Sequence, residues 1–143
     1  MFSKRSRYGI RAILHIALHT DEENLVGTTA LAQKTGINEP ILSKVLQELT
    51  KKKMIASKKG RNGGFYMSTV QKSQKLIEVI KELDQSDKLI NDCMLGQKSD
   101  RTCDTCPYSN DVATIRAELK AIYGTDTIVE TAKKLNYKLV NRK

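Results

Sequence analysis

Hydrophobic residues recur along this chain at two spacings, and the change from one to the other marks out its elements. Over residues 3–20, Ile10, Ile13, Leu14, Ala17 and Leu18 keep the three- and four-residue rhythm of a helix, while Arg7, Arg11, His15 and His19 recur every four residues on its polar side. Residues 21–27 read as a loop. A second helix opens at Thr28 or Thr29 and carries Leu31 and Ala32 inward; Gly36 stands where a left-handed cap would end it. Asn38 is placed to cap the next helix, with Pro40 in its first turn, where a missing N–H costs little. Ile41, Leu42, Val45, Leu46 and Leu49 then form one apolar stripe, and Pro40, Ser43, Lys44, Gln47 and Lys51 take the opposite face.

The rhythm then shortens. Residues 54–57 and 65–68 read as two short strands, joined by a seven-residue run that contains Gly60, Gly63 and Gly64. Residues 73–83 return to helical spacing through Leu76, Ile77, Val79, Ile80 and Leu83. Residues 84–107 show no period. In the helix predicted over 108–123, Val112, Ile115, Leu119 and Ile122 alternate spacings of three and four, the seam of a short coiled coil and a candidate dimer interface. The plainer reading is a helix packed on its own core. Gly124 is expected to end it. Thr127 and Glu130 make a capping box for a last helix, in which Ile128, Val129, Ala132 and Leu135 pack; residues 136–143 form a basic, loose tail. The expected fold is mainly α: a winged helix-turn-helix with a small β-hairpin wing and a long C-terminal dimerisation helix. It divides into a DNA-binding region (1–84), a cysteine-containing loop (85–107) and a C-terminal helical region (108–143).

Charge gives the helix-turn-helix a partner. The net charge is +9, and residues 1–72 carry 13 Lys and Arg against 5 Asp and Glu, whereas residues 73–143 carry 12 against 11. The positive field therefore lies on the half that contains the helix-turn-helix, as a polyanion binder requires. A helix that buries one side and shows Ser43, Lys44 and Gln47 on the other suits base edges in a major groove, with Lys51, Lys58, Lys59 and Arg61 on phosphates. Thr28, Thr29, Pro40, Asn62, Gly63 and Gly64 complete the candidate DNA-binding set. The bland alternative for the wing tip is a solvated, lysine-bearing loop. No apolar run reaches membrane-spanning length, and Arg11 and His15 interrupt the apolar stretch near the N-terminus, so a cytoplasmic protein is expected.

The chain holds three cysteines, Cys93, Cys103 and Cys106, spaced C-x9-C-x2-C. An odd number argues against a secreted disulfide framework, and thiols this close together call for a soft metal or redox chemistry. Three thiolates do not complete a tetrahedral zinc site or a four-iron cluster; Asp92, Asp104, Asp111, a small molecule or a partner subunit are candidate fourth ligands. An iron–sulfur cluster, structural zinc, a reversible disulfide and free thiols all stay open. His15 and His19 have metal-chelating spacing but no acidic or thiol ligand nearby in sequence, so exposed or partner-facing histidines are expected there. A thiol oxidoreductase built on Cys103 and Cys106 would need a C-x-x-C following a strand in an α/β chain. No alternating βα pattern exists here, and no enzyme is expected.

Several stretches carry a resemblance: RYGIRAILHIAL in the first helix, TTALAQKTGINEPILSKVLQEL, the wing run SKKGRNGGFYMS, the cysteine loop ending in Cys106-Pro107, and TDTIVETA near the C-terminus. With these the chain resembles the Rrf-two family of bacterial winged-helix transcriptional regulators, the group that contains IscR, NsrR and CymR. The resemblance implies a homodimer, joined through the long helix near residues 108–123, that binds an imperfect palindrome of double-stranded DNA in promoters, and a repressor is the leading expectation for this chain. It also implies a 2Fe–2S or 4Fe–4S cluster held by Cys93, Cys103 and Cys106, whose state changes DNA affinity under redox or nitric oxide signals. Some members lack a cluster and respond through thiols or a partner protein.

Overall fold

Helix α1 (Lys4–His19) is the element that the others pack around. The computed structural model describes residues 2–84 and 107–135. The hydroxyl of Ser3 caps α1 by accepting the Ser6 N–H at 3.1 Å. Its apolar side is wider than the sequence rhythm implies. Ser6, Gly9, Ala12 and Ile16 are buried along with Ile13, Leu14 and Ala17, because helices lie against α1 from several directions. One neighbour is the helix over Leu76–Asp84, and the contact is close. A Cβ on Gly9 would stand 2.5 Å from a methyl of Leu83, so the small residue sets the approach of the two helices.

The helix-turn-helix follows as expected. Helix α2 (Thr28–Thr35) ends at Gly36, whose φ of +68° is the left-handed cap that Gly favours, and α3 (Glu39–Lys51) begins after the Asn38 position with Pro40 in its first turn. Two details differ. The Asn38 side chain makes no capping hydrogen bond, and Ile41 is not part of the buried stripe: it is 43% exposed, whereas Leu42, Val45, Leu46 and Leu49 are at most 2% exposed. Ile41 lies on the flank of the helix, outside the arc that faces α1.

The wing is shorter and shifted. Strands β1 (Ala56–Lys58) and β2 (Gly64–Tyr66) pair antiparallel, Ala56 opposite Tyr66 and Lys58 opposite Gly64. The expected strand residues Met54, Ile55 and Met67 are core side chains flanking the hairpin, at 5%, 1% and 1% exposure. Ser68 then caps a short helix α4 (Thr69–Lys72) in a capping box with Gln71, which ends the strand. The helix expected over 73–83 begins only at Leu76, as α5 (Leu76–Asp84), and α4 precedes it as a separate short helix that the hydrophobic spacing did not reveal. Between them the backbone bonds to the far end of the chain: Ile128 N–H donates to the Gln74 carbonyl at 2.8 Å and Leu76 N–H to the Asp126 carbonyl at 3.3 Å.

Helix α6 (Ser109–Thr125) packs on α5 and passes through Gly124 without ending. The stop comes two residues later at Asp126, whose extended backbone turns the chain into α7 (Ile128–Leu135). The predicted capping box forms there: Thr127 N–H donates to Glu130 at 2.8 Å, and Glu130 N–H to the Thr127 hydroxyl at 3.2 Å. Ile128 and Ala132 close the core against α1; Val129 is half-buried and Leu135 lies at the surface. No described helix is long and apolar enough to cross a membrane.

Candidate nucleic-acid interface

Burial divides α3 into two faces. Leu42, Val45, Leu46 and Leu49 hold it on the core, and Pro40, Lys44, Gln47 and Lys51 stand exposed at spacings of four, three and four along the other side. Ser43 is half-buried at the edge of that row. The exposed row carries two ammonium groups and one amide, enough to contact phosphate and to donate to and accept from base edges. At the entry to α2, Thr28 is half-buried. The Thr29 hydroxyl donates to the Glu39 carboxylate at 2.7 Å, so it ties the first turn of α3 to α2 instead of standing free.

The C-terminal end of α3 is fastened by ion pairs that the hydrophobic spacing does not reveal. Glu48 receives the guanidinium of Arg5 from α1 and, at 3.3 Å, the ammonium of Lys52. Lys52 closes α3 and reaches α5, where it meets the Glu82 carboxylate at 3.6 Å and the Glu82 backbone carbonyl. Arg11 donates to the Thr35 carbonyl at the end of α2. The Glu48–Lys52 spacing of four was a visible signal; the partners on α1 and α5 were not, because only the fold brings them together.

In the wing, Gly63 and Gly64 serve the backbone. Gly63 N–H closes the turn onto the Gly60 carbonyl at 3.0 Å, and a Cβ at Gly63 would lie 2.2 Å from the Lys58 carbonyl oxygen. At Gly64 a Cβ would lie 2.7 Å from the Val26 carbonyl. That approach lets Phe65 and Val26 exchange hydrogen bonds of 2.7 and 3.0 Å, which seats the hairpin against the residues just before α2. Lys58 points back: its ammonium donates to the Glu22 carbonyl and lies 5.2 Å from the Tyr66 ring centre. Lys59, Arg61 and Asn62 are exposed at the tip, and the two cations there have no ion pair among the described residues. The tip therefore offers two free cations instead of three.

The His15 and His19 rings lie side by side, their centres 4.4 Å apart and their planes tilted by 40°. His19 is exposed, but His15 is half-buried, against the expectation for both. Burial pushes the His15 imidazole down to about 4, and the neighbouring His19 and Lys34 charges push the same way. Among the described residues no group of three His, Cys, Asp or Glu side chains gathers as a metal site. Cys93, Cys103 and Cys106 lie outside the described residues. On α6, Ile115 and Ile122 are 56% and 64% exposed, Val112 is exposed and Leu119 half-buried. Tyr108, four residues before Val112, extends the same exposed seam.

Comparison with known proteins agrees with this geometry. The Rrf2 family, described as an iron-dependent transcriptional regulator, matches residues 2–128. Protein aau3 of Rhizobium meliloti (strain 1021) is 25% identical over 143 aligned positions, covering 96% of this chain and 90% of that protein. The HTH-type transcriptional regulator NsrR of Oceanobacillus iheyensis is 27% identical over 106 positions, 74% of this chain and 67% of that protein. Among solved structures, CymR (YrzC), the global cysteine regulator of B. subtilis, superposes with a TM-score of 0.74 at 18% identity, covering 95% of this chain and 98% of that one. This last likeness is one of fold.

Proposed function

The chain belongs to the Rrf2 family of transcriptional regulators, which bind DNA and are not enzymes, and from that premise we propose a homodimeric repressor whose promoter binding is set by an iron–sulfur cluster or a redox or nitric oxide signal at Cys93, Cys103 and Cys106. The observation that carries the DNA half of this reading is the exposed row Pro40, Lys44, Gln47 and Lys51 on a helix whose other face is wholly buried. Lys59, Arg61 and Lys51 anchor phosphates; Ser43, Lys44 and Gln47 take base edges. Lys58 acts mainly within the wing. Val112, Ile115, Leu119 and Ile122 join two copies, which presents two recognition helices to an imperfect palindrome. The protein works in the cytoplasm.

For the cysteine segment, the chemistry of the donor set supports the proposal. Three thiolates are soft donors that suit iron, and a fourth position stays open to a carboxylate, a small molecule or the second subunit. When bound, the cluster supplies a centre that responds to oxidants and nitric oxide. The chain's own part is transmission. The segment is anchored between the end of α5 at Asp84 and the start of α6 at Ser109, and Lys52 ties the last turn of α5 to the recognition helix.

The test is an anaerobic purification with an absorption spectrum and with iron, sulfide and zinc measured on one sample, followed by duplex binding with and without the metal. A visible thiolate-to-iron band with matched iron and sulfide, lost in Cys103→Ala, is the expected result. Stoichiometric zinc in a colourless protein would make the segment structural. A colourless, metal-free protein that also resists reconstitution would leave a regulator controlled by thiols or by a partner protein.

A further inference from the structure

The core leaves out one large apolar residue of the recognition helix, Ile41, which is 43% exposed. It stands in the first turn of α3, directly after Glu39 and Pro40. Position matters here, because a recognition helix presents its N-terminal residues to base edges. The backbone beneath Ile41 is held firmly. Glu39 accepts the Thr29 hydroxyl at 2.7 Å, the Pro40 ring fixes its own φ, and Leu42 N–H bonds the Asn38 carbonyl at 2.9 Å. A β-branched side chain on such a turn has few rotamers open to it. Ile41 is thus a rigid apolar knob beside the polar row that begins with Pro40 and Lys44.

Polar side chains in a major groove read donors and acceptors. The apolar feature that a base pair offers there is the C5-methyl group of thymine. We propose that Ile41 reads a thymine methyl in each half-site, as a specificity-determining residue of the DNA contact. This rests on the DNA-binding reading above and adds to it a base and an atom. Contact with the methyl removes apolar surface of both partners from water, and the contact is lost when either the methyl or the Ile side chain is taken away.

The experiment starts with full-length protein selecting duplexes from a random pool. Each thymine of the best duplex is then replaced in turn by deoxyuridine, which lacks only the methyl group. One thymine in each half-site is expected at which uracil weakens binding about four-fold, the scale of one buried methylene-sized group. Ile41→Ala should bind the thymine and uracil duplexes equally, both at the weaker level. Because the residue is exposed, its thermal midpoint and its sedimentation should match the parent protein. The proposal is overturned if the parent protein is indifferent to uracil at every position, or if Ile41→Ala keeps the discrimination. It is also overturned if Ile41→Ala sediments as a smaller species, which would assign Ile41 to a protein interface. A pool that yields no selected duplex removes the DNA-binding reading and this role together, whereas a selected duplex insensitive to uracil leaves the regulator standing and removes only the role of Ile41.

Discussion

Lys52, the residue that closes the recognition helix, holds Glu82 in the last turn of α5 through both its carboxylate and its backbone carbonyl. The same ammonium therefore fastens both the side chain and the backbone of α5 to the residue that terminates α3. Through Glu48 the same ammonium joins Arg5 of α1, and three helices meet at one end of α3. Individual exposed ion pairs are worth roughly 0–1 kcal/mol, so the network matters more for where α3 sits than for whether the protein folds.

Lys52→Met should therefore cost about 1 kcal/mol of stability, one modest ion-pair network and one hydrogen bond. Its larger effect should fall on the preference for a selected duplex over random DNA, because a loosened α3 still offers its charges but not a fixed register of Ser43, Lys44 and Gln47. Lys52→Arg should restore part of the preference. Equal losses on selected and random DNA would show that Lys52 acts only as a charge.

The two ends of the wing turn should behave differently. Arg61→Ala and Lys59→Ala should each weaken binding to all duplexes and reduce the salt slope by about two units, as expected for one phosphate contact in each subunit of the dimer. Lys58→Ala should leave the slope nearly unchanged, because its ammonium is already committed to the Glu22 carbonyl and the Tyr66 ring. Binding titrations from low to moderate salt decide this. Three equal changes in slope would mean that Lys58 turns outward to the DNA.

Gly63→Ala forces a Cβ against the Lys58 carbonyl at a distance that no real contact shows. The hairpin must open, while the packing of α3, α5 and α7 on α1 persists. Helical circular dichroism should stay near that of the parent, amide protection of Phe65 and Val26 should fall, and duplex affinity should drop at least ten-fold. Intact amide protection in Gly63→Ala would show that the turn adapts.

His15 gives stability an acid edge. Its folded pKa of about 4 lies below the 6.5 of the free side chain, so between these values the unfolded chain binds the extra proton. The contribution is fully present above about pH 6.5 and is lost as pH falls toward about 4. Solvent screening at a half-buried ring holds the total loss to on the order of 1–2 kcal/mol. The urea midpoint should drop from pH 7.5 to pH 5, and His15→Phe should flatten that drop. An unchanged drop in the variant would place the acid sensitivity elsewhere.

Local rules made much of this architecture readable in the sequence. Gly36, the Pro40 turn, the stripe from Leu42 to Leu49 and the Thr127–Glu130 box each obey a constraint complete within a few residues, and each forms as expected. What was not readable depends on residues far apart in the chain. The break between α4 and α5 exists because Gln74 and Leu76 bond the turn before α7, and α6 outruns Gly124 because Asp126 supplies the stop from the same turn. In the candidate interface, the exposed row on α3 followed from its period. Lys58 and Thr29 did not, since the Glu22 carbonyl and Glu39 claim them only in the folded chain.

The seam on α6 yields the last prediction. Val112, Ile115 and Ile122 are exposed while helix α6 rests its other side on α5, so one copy leaves an apolar stripe facing water. Two such stripes packed together bury at least six large side chains, and a charge placed in the seam would be buried unpaired against its own copy. Ile115→Glu should convert the protein to a monomer by analytical ultracentrifugation, with helical content near that of the parent. Since a monomer presents one recognition helix, affinity for a two-half-site duplex should fall by at least a hundred-fold, while affinity for a single half-site changes little. If Ile115→Glu stays dimeric and binds as before, the interface lies on another face and α6 carries its apolar seam for a different contact.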